Sequence, residues 1–423
     1  MEQLLSLNLY YQLGMVIYMQ EDFHFYTTYV LCRCNGLNHD KARTIAYSSQ
    51  QVDDAKYGHE LEFKEGGRFQ QQMTAHEYVH PNILNLRTQY EIYGTFHFIP
   101  GNRQDKQKPS GSVPFRHRML CTANSEVSQK VFEHVYRQKK EPDFLHSLGI
   151  ALHAYADTWA HQDFSALFKF EKGNKMNDAD HVKVWDKTAQ CFVPYEPGET
   201  TFDQVCGRMQ RFKNYLLNKA ELMKMGHCQV YTLPDEPYRK WKYYHRYFYQ
   251  HLERDNVETY LEASKAIYGQ LKELFSKPEL EHHATEPTVA WNDIKGPLQE
   301  CFSYESTLAK RNKNWLQAIM AGKFGFTIPD GSLDSFEYYR REWFDQAVQH
   351  FPDTRRLTLF EQFSERFKCF LTYGKFRHPS LKETYSRKEG FLASDWKLFH
   401  DAARKYKDFF IHDLLQAYGM ICG

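Results

Sequence analysis

The residues best suited to chemistry lie in one segment, LHAYADTWAHQDF, at positions 152–164. His153, Asp157 and His161 follow one another at intervals of four residues. On a helix, four residues advance a side chain by about 40° around the axis and about 6 Å along it. The spacing therefore predicts that all three side chains share one helix face. His153 and Asp157 can hold one metal ion together, His161 can serve a second ion, and Asp157 can bridge the two.

An exposed polar face with an accidental His and Asp is the alternative interpretation of this segment. The neighbours Leu152, Ala156 and Trp159 indicate instead a helix that is buried on most sides. Buried ionisable side chains are unfavourable unless they are paired or bound to a metal. The surroundings therefore favour the metal site.

A second group of acidic and imidazole side chains lies nearer the N-terminus. Asp22 and His24 belong to one aromatic segment, and Asp53 and Asp54 follow directly after the predicted helix at 38–52. Oxygen and imidazole ligands suit zinc, so we expect one of the two adjacent Asp to face a metal and the other to face solvent. Taken alone, Asp53 and Asp54 also fit a helix terminus followed by a polar turn.

Most of the chain has apolar residues at helical spacing. Helices are predicted over residues 25–35, 38–52, 142–169, 202–225, 244–275, 298–321, 334–350 and 354–373, and from Ser394 to near Gly419. Strand-type alternation is scarce, and residues 91–99 are its best candidate. The sequence predicts that the aromatic run at 243–249 lies on a helix. On a helix, such a run more often packs against a hydrophobic core than stacks on nucleic-acid bases. The sequence therefore predicts an all-α fold, a multi-helix bundle with long loops and at most a minor hairpin.

Three polar stretches containing Pro and Gly interrupt the helical pattern, at 100–117, 171–200 and 277–297. The last stretch separates two helical blocks and is the best candidate for a boundary. We therefore predict an N-terminal extension at 1–18, a metal-binding helical domain at 19–276, and a C-terminal helical region at 298–423 that packs on this domain or completes it.

The charges of the 423-residue chain are balanced, with 54 Lys and Arg against 53 Asp and Glu, a formal net charge of +1. Proteins that bind nucleic acid or membrane surfaces usually carry an excess of Lys and Arg. The balance excludes a generic polyanion binder. The sequence therefore gives no strong signal of nucleic-acid binding, and any contact with a polyanion must involve a local group of basic residues.

The cysteines and the N-terminus indicate the compartment. The nine cysteines form no CxxC pair, which is typical of reduced thiols in a cytosolic protein. The first eighteen residues lack a basic region and a small-residue cleavage site, so we expect no signal peptide. No window reaches the length of about 18 apolar residues that a membrane span needs. The sequence predicts a cytoplasmic protein without a transmembrane segment.

Six sequence blocks resemble the successive blocks of an uncharacterised, largely bacterial protein family over most of residues 19–270. They are MQEDFHFYTTYVLCRCNG, AYSSQQVDD, TFHFIPGN, LHAYADTWAHQDF, GHCQVYTLPDEPYRKWKY and RDNVETYLEA. The helix with His, Asp and a further His followed by Phe is similar, more distantly, to that of the zinc-dependent phospholipase C and single-strand nuclease superfamily. In those enzymes this helix contributes to a trinuclear zinc cluster that hydrolyses phosphodiesters, and the resemblance implies their helical fold.

The resemblance also implies a set of metal ligands. They are His24, one of Asp53 and Asp54 (with Asp53 preferred), His76 or His97 (with His97 preferred), His153, Asp157, His161 and His227. The second-ion site would be completed by Asp235, or by Asp255, which stands four residues after His251.

This sequence departs from the superfamily pattern at three places. His161 follows Asp157 by four residues where the superfamily has six, and Tyr231 stands where its His-x3-Glu motif has Glu. The superfamily uses the free terminal amine as a zinc ligand, whereas here eighteen residues precede the family-like start at Met19. Two zinc ions are therefore expected, with a third possible.

The function that follows is hydrolysis of a small-molecule or lipid phosphoester, by a phospholipase C-like or nuclease-like reaction. Zinc lowers the pKa of a bound water to about 7 and holds the phosphoryl oxygens. Asp54 or Asp163, outside the coordination shell, would orient that water. The alternative is a non-catalytic helical protein with a structural metal site. Structural zinc sites are closed, whereas catalytic sites keep one open position.

Overall fold

The computed structural model describes residues 21–58, 60–75, 86–103, 114–167, 175–195, 226–329, 332, 336–351 and 384–420. The predicted extension at 1–18 and the predicted helices at 202–225 and 354–373 lie outside the described residues, and so does His76.

Helices make up about half of the described chain. Helix α1 is composite, a π-helix at Asp22–Thr27 followed by an α-helix at Thr28–Cys34, and α2 spans His39–Asp54. The other helices are α3 (Leu86–Thr88, continued by a π-helix at Gln89–His97), α4 (Phe115–Arg118), α5 (Glu126–Gln129), α6 (Val131–Arg137), α7 (Phe144–Ala160), α8 (Asn256–Phe275), α9 (Trp291–Ser303), α10 (Leu308–Met320), α11 (Glu342–Ala347) and α12 (Asp395–Asp408, continued by a π-helix at Phe409–Leu414 and by Leu415–Ala417). Short 3₁₀-helices lie at Cys228–Val230, Leu233–Asp235, Glu281–His283 and Phe391–Ala393. Among the described helices, none is long and apolar enough to cross a membrane.

Two predicted helix starts are confirmed by their caps. The Asn38 side chain accepts a hydrogen bond from the Lys41 backbone N–H at the start of α2, and Ser394 does the same for Lys397 at the start of α12. Such caps satisfy backbone N–H groups that have no partner within the helix. Helix α7 ends at Ala160 and does not continue to residue 169 as predicted.

Eight strands form three antiparallel sheets in the described residues. Strands β1 (Glu60–Glu62) and β2 (Arg68–Gln70) form one pair, and β7 (Val348–Phe351) and β8 (Thr384–Arg387) form another. The largest sheet has the order β4-β3-β5-β6. Its strands are β3 (Ala179–Asp186), β4 (Cys191–Pro194), β5 (Lys240–His245) and β6 (Gln250–Asp255).

The prediction of an all-α fold is therefore wrong, and the fold is mixed α and β. Strand β5 has the period-two pattern of a half-buried strand, because Trp241, Tyr243 and His245 are buried while the residues between them are partly exposed. The prediction extended the helical pattern of α8 backwards across β6 and the end of β5, and it assigned β3 and β4 to a polar loop. The predicted strand at 91–99 is also wrong, since Gln89–His97 is a π-helix.

The closest helix packing occurs between α2 and α7. A Cβ atom added to Gly149 on α7 would lie 2.4 Å from the Ile45 carbonyl oxygen and 2.6 Å from the Ser48 Cβ on α2. The Ser48 hydroxyl donates to the His146 carbonyl oxygen at 2.9 Å. Glycine is needed here because the two backbones nearly touch. This approach brings the C-terminal half of α2 beside the middle of α7.

One large hydrophobic core extends from α1 to α12. It joins Phe23 on α1 and Leu152 on α7 to Trp315 on α10 and Phe399 on α12, all buried. A smaller core lies between the inner face of the four-stranded sheet and the segments around Phe98 and Val230. Residues of the predicted C-terminal region thus pack directly on the predicted metal-binding domain.

A buried ion pair ties α10 to the first residue of α1. Arg311 donates from Nε to Asp22 Oδ2 at 2.9 Å and from Nη2 to Asp22 Oδ1 at 3.1 Å. Both side chains are almost fully buried. Bidentate pairing of this kind satisfies both carboxylate oxygens, and the loss of one partner leaves an uncompensated buried charge.

We predict that Arg311→Leu lowers the free energy of unfolding by about 3–5 kcal/mol, because it strands the Asp22 carboxylate. Urea unfolding monitored by circular dichroism measures this change. Lys323→Leu is the control, since the Lys323–Glu300 ion pair lies at the surface and surface pairs contribute little. Equal unfolding midpoints for wild type and Arg311→Leu would contradict the prediction.

Candidate metal centre

Two histidines of the centre lie on π-helical turns. His24 is on the π-helix of α1, and His97 is the last residue of the π-helix of α3. Threonine hydroxyls support both turns by donating to carbonyl oxygens five residues earlier: Thr27 donates to Asp22 at 2.8 Å, and Thr95 donates to Tyr90 at 2.8 Å. The π-turns are rare and often occur at functional sites, where they redirect side chains.

Four donor atoms converge from α2, α3 and α7. His97 Nδ1 lies 3.1 Å from Asp157 Oδ2, 3.2 Å from His153 Nε2 and 3.9 Å from Asp53 Oδ1. His153 Nε2 lies 3.4 Å from Asp157 Oδ2 and 3.7 Å from Asp53 Oδ1. Zinc bonds of about 2.0–2.1 Å in a tetrahedral arrangement place ligand atoms about 3.3–3.4 Å apart. Both histidine nitrogens lie within 3.9 Å of both carboxylate oxygens, and we call these four residues the first ligand set.

Backbone carbonyls fix the orientation of both histidines in the first ligand set. His97 donates from Nε2 to the Thr74 carbonyl oxygen at 3.0 Å, and His153 donates from Nδ1 to the Ser49 carbonyl oxygen at 2.8 Å. Burial lowers the pKa of each ring to about 4, so both rings are neutral at pH 7. Their other nitrogens therefore carry lone pairs that face each other and the Asp157 carboxylate. Lone pairs of neutral imidazole are the donors with which histidine binds a metal ion.

A second ligand set consists of His161, His227 and Asp235. His161 Nε2 lies 3.5 Å from Asp235 Oδ1, and His227 Nε2 lies 3.7 Å from Asp235 Oδ2. Neither Asp235 oxygen makes a hydrogen bond to any residue that the structure describes, although the side chain is fully buried. Such unsatisfied buried acceptors are rare without a bound cation or water.

The second ligand set is also held by backbone carbonyls. His161 follows the last residue of α7 and donates from Nδ1 to the His97 carbonyl oxygen at 2.7 Å. His227 donates from Nδ1 to the Tyr231 carbonyl oxygen at 2.9 Å. Tyr231 has φ 58°, a backbone conformation that is strained for a residue other than glycine. The strain is consistent with a backbone that is shaped to hold His227.

Asp157 connects the two ligand sets and His24. Its Oδ1 atom lies 3.2 Å from His24 Nε2, while Oδ2 belongs to the first ligand set and lies 3.6 Å from His161 Nδ1. Within the described part of the chain, neither nitrogen of His24 makes a hydrogen bond, and its ring stacks on His153 at a centroid distance of 3.8 Å. Burial opposes ionisation of Asp157, but His161 and His153 hold its pKa well below the usual range. Asp157 therefore remains an ionised, buried carboxylate that lies next to His24 and to both ligand sets.

The centre concentrates three carboxylates. Asp53, Asp157 and Asp235 are all buried, and the charge of Lys56 acts to lower the pKa of Asp53. Burial and the neighbouring Asp157 raise the pKa of Asp53 well above its usual value. Burial alone would lower the pKa of His161, but Asp157 and Asp235 raise it to about 9. Carboxylates that attract a proton this strongly also attract metal ions, which compete with protons for the same ligand atoms.

The structure brings together the seven residues predicted as metal ligands, His24, Asp53, His97, His153, Asp157, His161 and His227, and of the two further candidates it places Asp235 with them. It places the other candidate, Asp255, at the start of α8, where its side chain accepts from the Val257 N–H at 3.2 Å. His251 and Asp255 lie on strand β6, so their four-residue spacing does not align them on a helix face. The carbonyl oxygens of Ser49 and Thr74 were missed, because any residue supplies a carbonyl and no sequence signal marks those that orient a ligand.

The two aspartates predicted to orient a water lie outside the ligand sets. Asp54 accepts from the Tyr338 hydroxyl at 2.8 Å and lies 3.6 Å from Lys56 Nζ. Asp163 forms ion pairs with Arg103, at 2.7 Å, and with Arg254. Burial would raise the pKa of Asp163, but the two guanidinium groups lower it overall.

Comparison with known proteins identifies the family. The chain matches the family model of DUF6765, a family of unknown function, over residues 19–414. The chain belongs to the DUF6765 family. No curated protein and no solved structure matches it. The DUF6765 match agrees with the expected uncharacterised family and reaches further, into the C-terminal region, but it provides no link to the phospholipase C and nuclease superfamily.

We predict that Asp157→Asn removes bound metal, because it takes away the carboxylate charge that both ligand sets face. Elemental analysis of protein purified without chelator measures the metal content. Asp163→Asn is the matched control: it makes the same change at a mostly buried aspartate that contacts arginines and no ligand, so its metal content should equal that of wild type. Equal metal content in wild type and Asp157→Asn would refute the prediction.

Proposed function

We propose that this protein is a metal-dependent phosphoester hydrolase with two zinc ions, or with three if His24 and Asp157 Oδ1 hold a further ion. The observation that carries the proposal is the second ligand set, in which His161, His227 and Asp235 supply three protein donors among the described residues. Three protein ligands leave a coordination position for water or substrate, which is typical of catalytic zinc.

Bound zinc would supply a hydroxide at neutral pH and an electrostatic clamp for phosphoryl oxygens. The contribution of the chain is to keep the ligand atoms in place. The His97 carbonyl oxygen orients His161, and the Tyr231 carbonyl oxygen orients His227. Asp54 and Asp163 are engaged by Tyr338 and by two arginines, so the proposal requires neither as a base.

The proposed substrate is a small-molecule or lipid phosphoester, and the proposed location is the cytoplasm. The location is supported by cysteines without disulfide partners, which are typical of a reducing compartment. They are Cys32, Cys34, Cys121, Cys191, Cys228 and Cys301 among the described residues.

A structural metal site is the second candidate. It is favoured by the burial of the ligands, since His24, His97, His153, Asp157 and His161 are all fully buried. In this case the metal would brace α1, α2, α3 and α7 against one another. Metal removal would then lower stability in a protein that has no activity to lose.

We predict that the protein as purified contains about two zinc-type ions per chain, one for each ligand set. Elemental analysis gives the count, and thermal unfolding before and after chelation gives the effect on stability. Because the buried carboxylates lose their counter-charge, we expect chelation to lower the melting temperature. A metal-free chain with the same melting temperature would rule out both candidates.

We predict that the protein hydrolyses bis(p-nitrophenyl) phosphate or p-nitrophenyl phosphorylcholine at neutral pH, and that Asp235→Asn lowers the rate by at least about 100-fold. This change should remove the ion of the second ligand set and retain that of the first. Asp293→Asn, at an exposed position on α9, is the control and should not change the rate. Bound metal with no hydrolysis of any tested phosphoester would favour the structural site.

A further inference from the structure

The outer face of the four-stranded sheet carries aromatic rings next to lysines. On β5, Trp241, Tyr243 and His245 point into the protein, and the alternate residues Lys240, Lys242 and Tyr244 lie on the opposite face. This outer face includes residues from all four strands because the register pairs them across the sheet. The run of aromatic residues that the sequence placed on a helix is therefore divided between the two faces of a sheet.

The aromatic rings of this face form two groups. Trp185 on β3 pairs with Phe192 on β4, and their rings meet edge to face at 5.2 Å. Tyr244 on β5 pairs with His251 on β6, with the rings 5.1 Å apart. At about 3.3 Å per residue, the two groups are separated by about 13 Å along the strands. All four side chains are at least partly exposed.

Two lysines occupy the space between the aromatic groups. Lys183 and Lys242 are directly opposite each other on β3 and β5, an arrangement of like charges that is unfavourable unless an anion relieves it. The carboxylate of Glu253, on the other side of Lys242, pairs with Lys240 Nζ at 3.2 Å. Lys242 Nζ instead lies 4.1 Å from the centre of the Phe192 ring. Within the described part of the chain, neither Lys183 nor Lys242 has an acidic partner.

We propose that this face binds single-stranded nucleic acid, with bases stacked on Trp185, Phe192 and Tyr244 and with phosphates against Lys183 and Lys242. Single strands present flat rings and a regularly charged backbone together, and proteins bind them with aromatic side chains set in a positive groove. A duplex hides its bases within the stack and fits this face poorly. The chain is nearly neutral overall, so the lysines form the kind of local contact that its composition permits.

The outer face of the sheet is connected to the candidate metal centre through the packing of β5, although the proposed binding does not depend on a bound metal. Strand β5 begins five residues after Asp235, and its inner face belongs to the small core that contains Phe98. The Phe98 ring stacks on His161 at a centroid distance of 4.4 Å. A nucleic-acid strand bound on the outer face would thus lie on the same sheet that supports the second ligand set. Binding by this face does not require the hydrolase proposal to be correct.

The test is fluorescence anisotropy of a labelled single-stranded oligo-dT of about 12 nucleotides with the full-length protein as purified. We expect saturable binding that is at least about tenfold tighter than binding to a duplex of the same length. Trp185→Ala with Phe192→Ala should weaken binding by at least about tenfold, whereas Trp185→Phe with Phe192→Tyr keeps the rings and should retain it. Tyr339→Ala, at an exposed ring whose backbone carbonyl accepts from Tyr47 on α2, is the control and should bind as wild type does.

The lysines give an independent measurement. Lys183→Ala with Lys242→Ala should weaken binding and make the plot of log affinity against log salt shallower by about 1.4, the value for two lost single-strand phosphate contacts. Circular dichroism of each variant confirms that the sheet has folded.

Four results would overturn the proposal: no binding to oligo-dT, equal binding to duplex, full competition by phosphatidylserine vesicles, or wild-type affinity in the double alanine variant that lacks Trp185 and Phe192. A denaturing gel of the oligonucleotide after each titration scores cleavage separately. Binding without cleavage supports this surface whatever the fate of the hydrolase proposal, and phosphoester hydrolysis without binding overturns this surface alone.

Discussion

The buried carboxylate of Asp157 is the constraint on which the rest of the centre depends. A charge at full burial must be compensated, and the groups nearest to it are imidazoles whose own nitrogens need a partner. The fold meets this requirement by packing α2 against α7 so closely that only glycine fits at position 149. That contact sets Asp53 beside His153, and the π-turn of α3 adds His97.

The site was more predictable from the sequence than the fold. His153, Asp157 and His161 could be found from spacing alone, because one helix and the residue after it carry all three. The ligands from distant segments, such as His24 and His227, could be assigned only through a resemblance between sequence blocks. Spacing within a segment says nothing about which segments meet. The contacts that orient the rings come from backbone carbonyls, which have no sequence signature.

The sheet was missed for a physical reason. Strand β5 has only six residues and lies close to the twenty-residue helix α8, whose pattern dominates any longer window. The residue types in KWKYYH do not alternate clearly between apolar and polar. The period of two becomes visible only once the structure shows that Trp241 and Tyr243 are buried and their neighbours partly exposed. The π-helix at Gln89–His97 caused the opposite error, because its wider turns disrupt the helical spacing and leave an apparent alternation.

The ion pair between Asp22 and Arg311 has a consequence for the order in which the chain is made. Ribosomes deliver α1 first, but its Asp22 has no counter-charge until α10 emerges, almost three hundred residues later. The ligands of the centre likewise extend from His24 to Asp235. During synthesis, the carboxylates of the N-terminal helices that are buried in the folded protein therefore remain exposed to water until the later segments are made. Assembly of the candidate ligand groups thus needs more than half of the chain, and a fragment that stops before α10 would hold these residues without the contact that anchors α1.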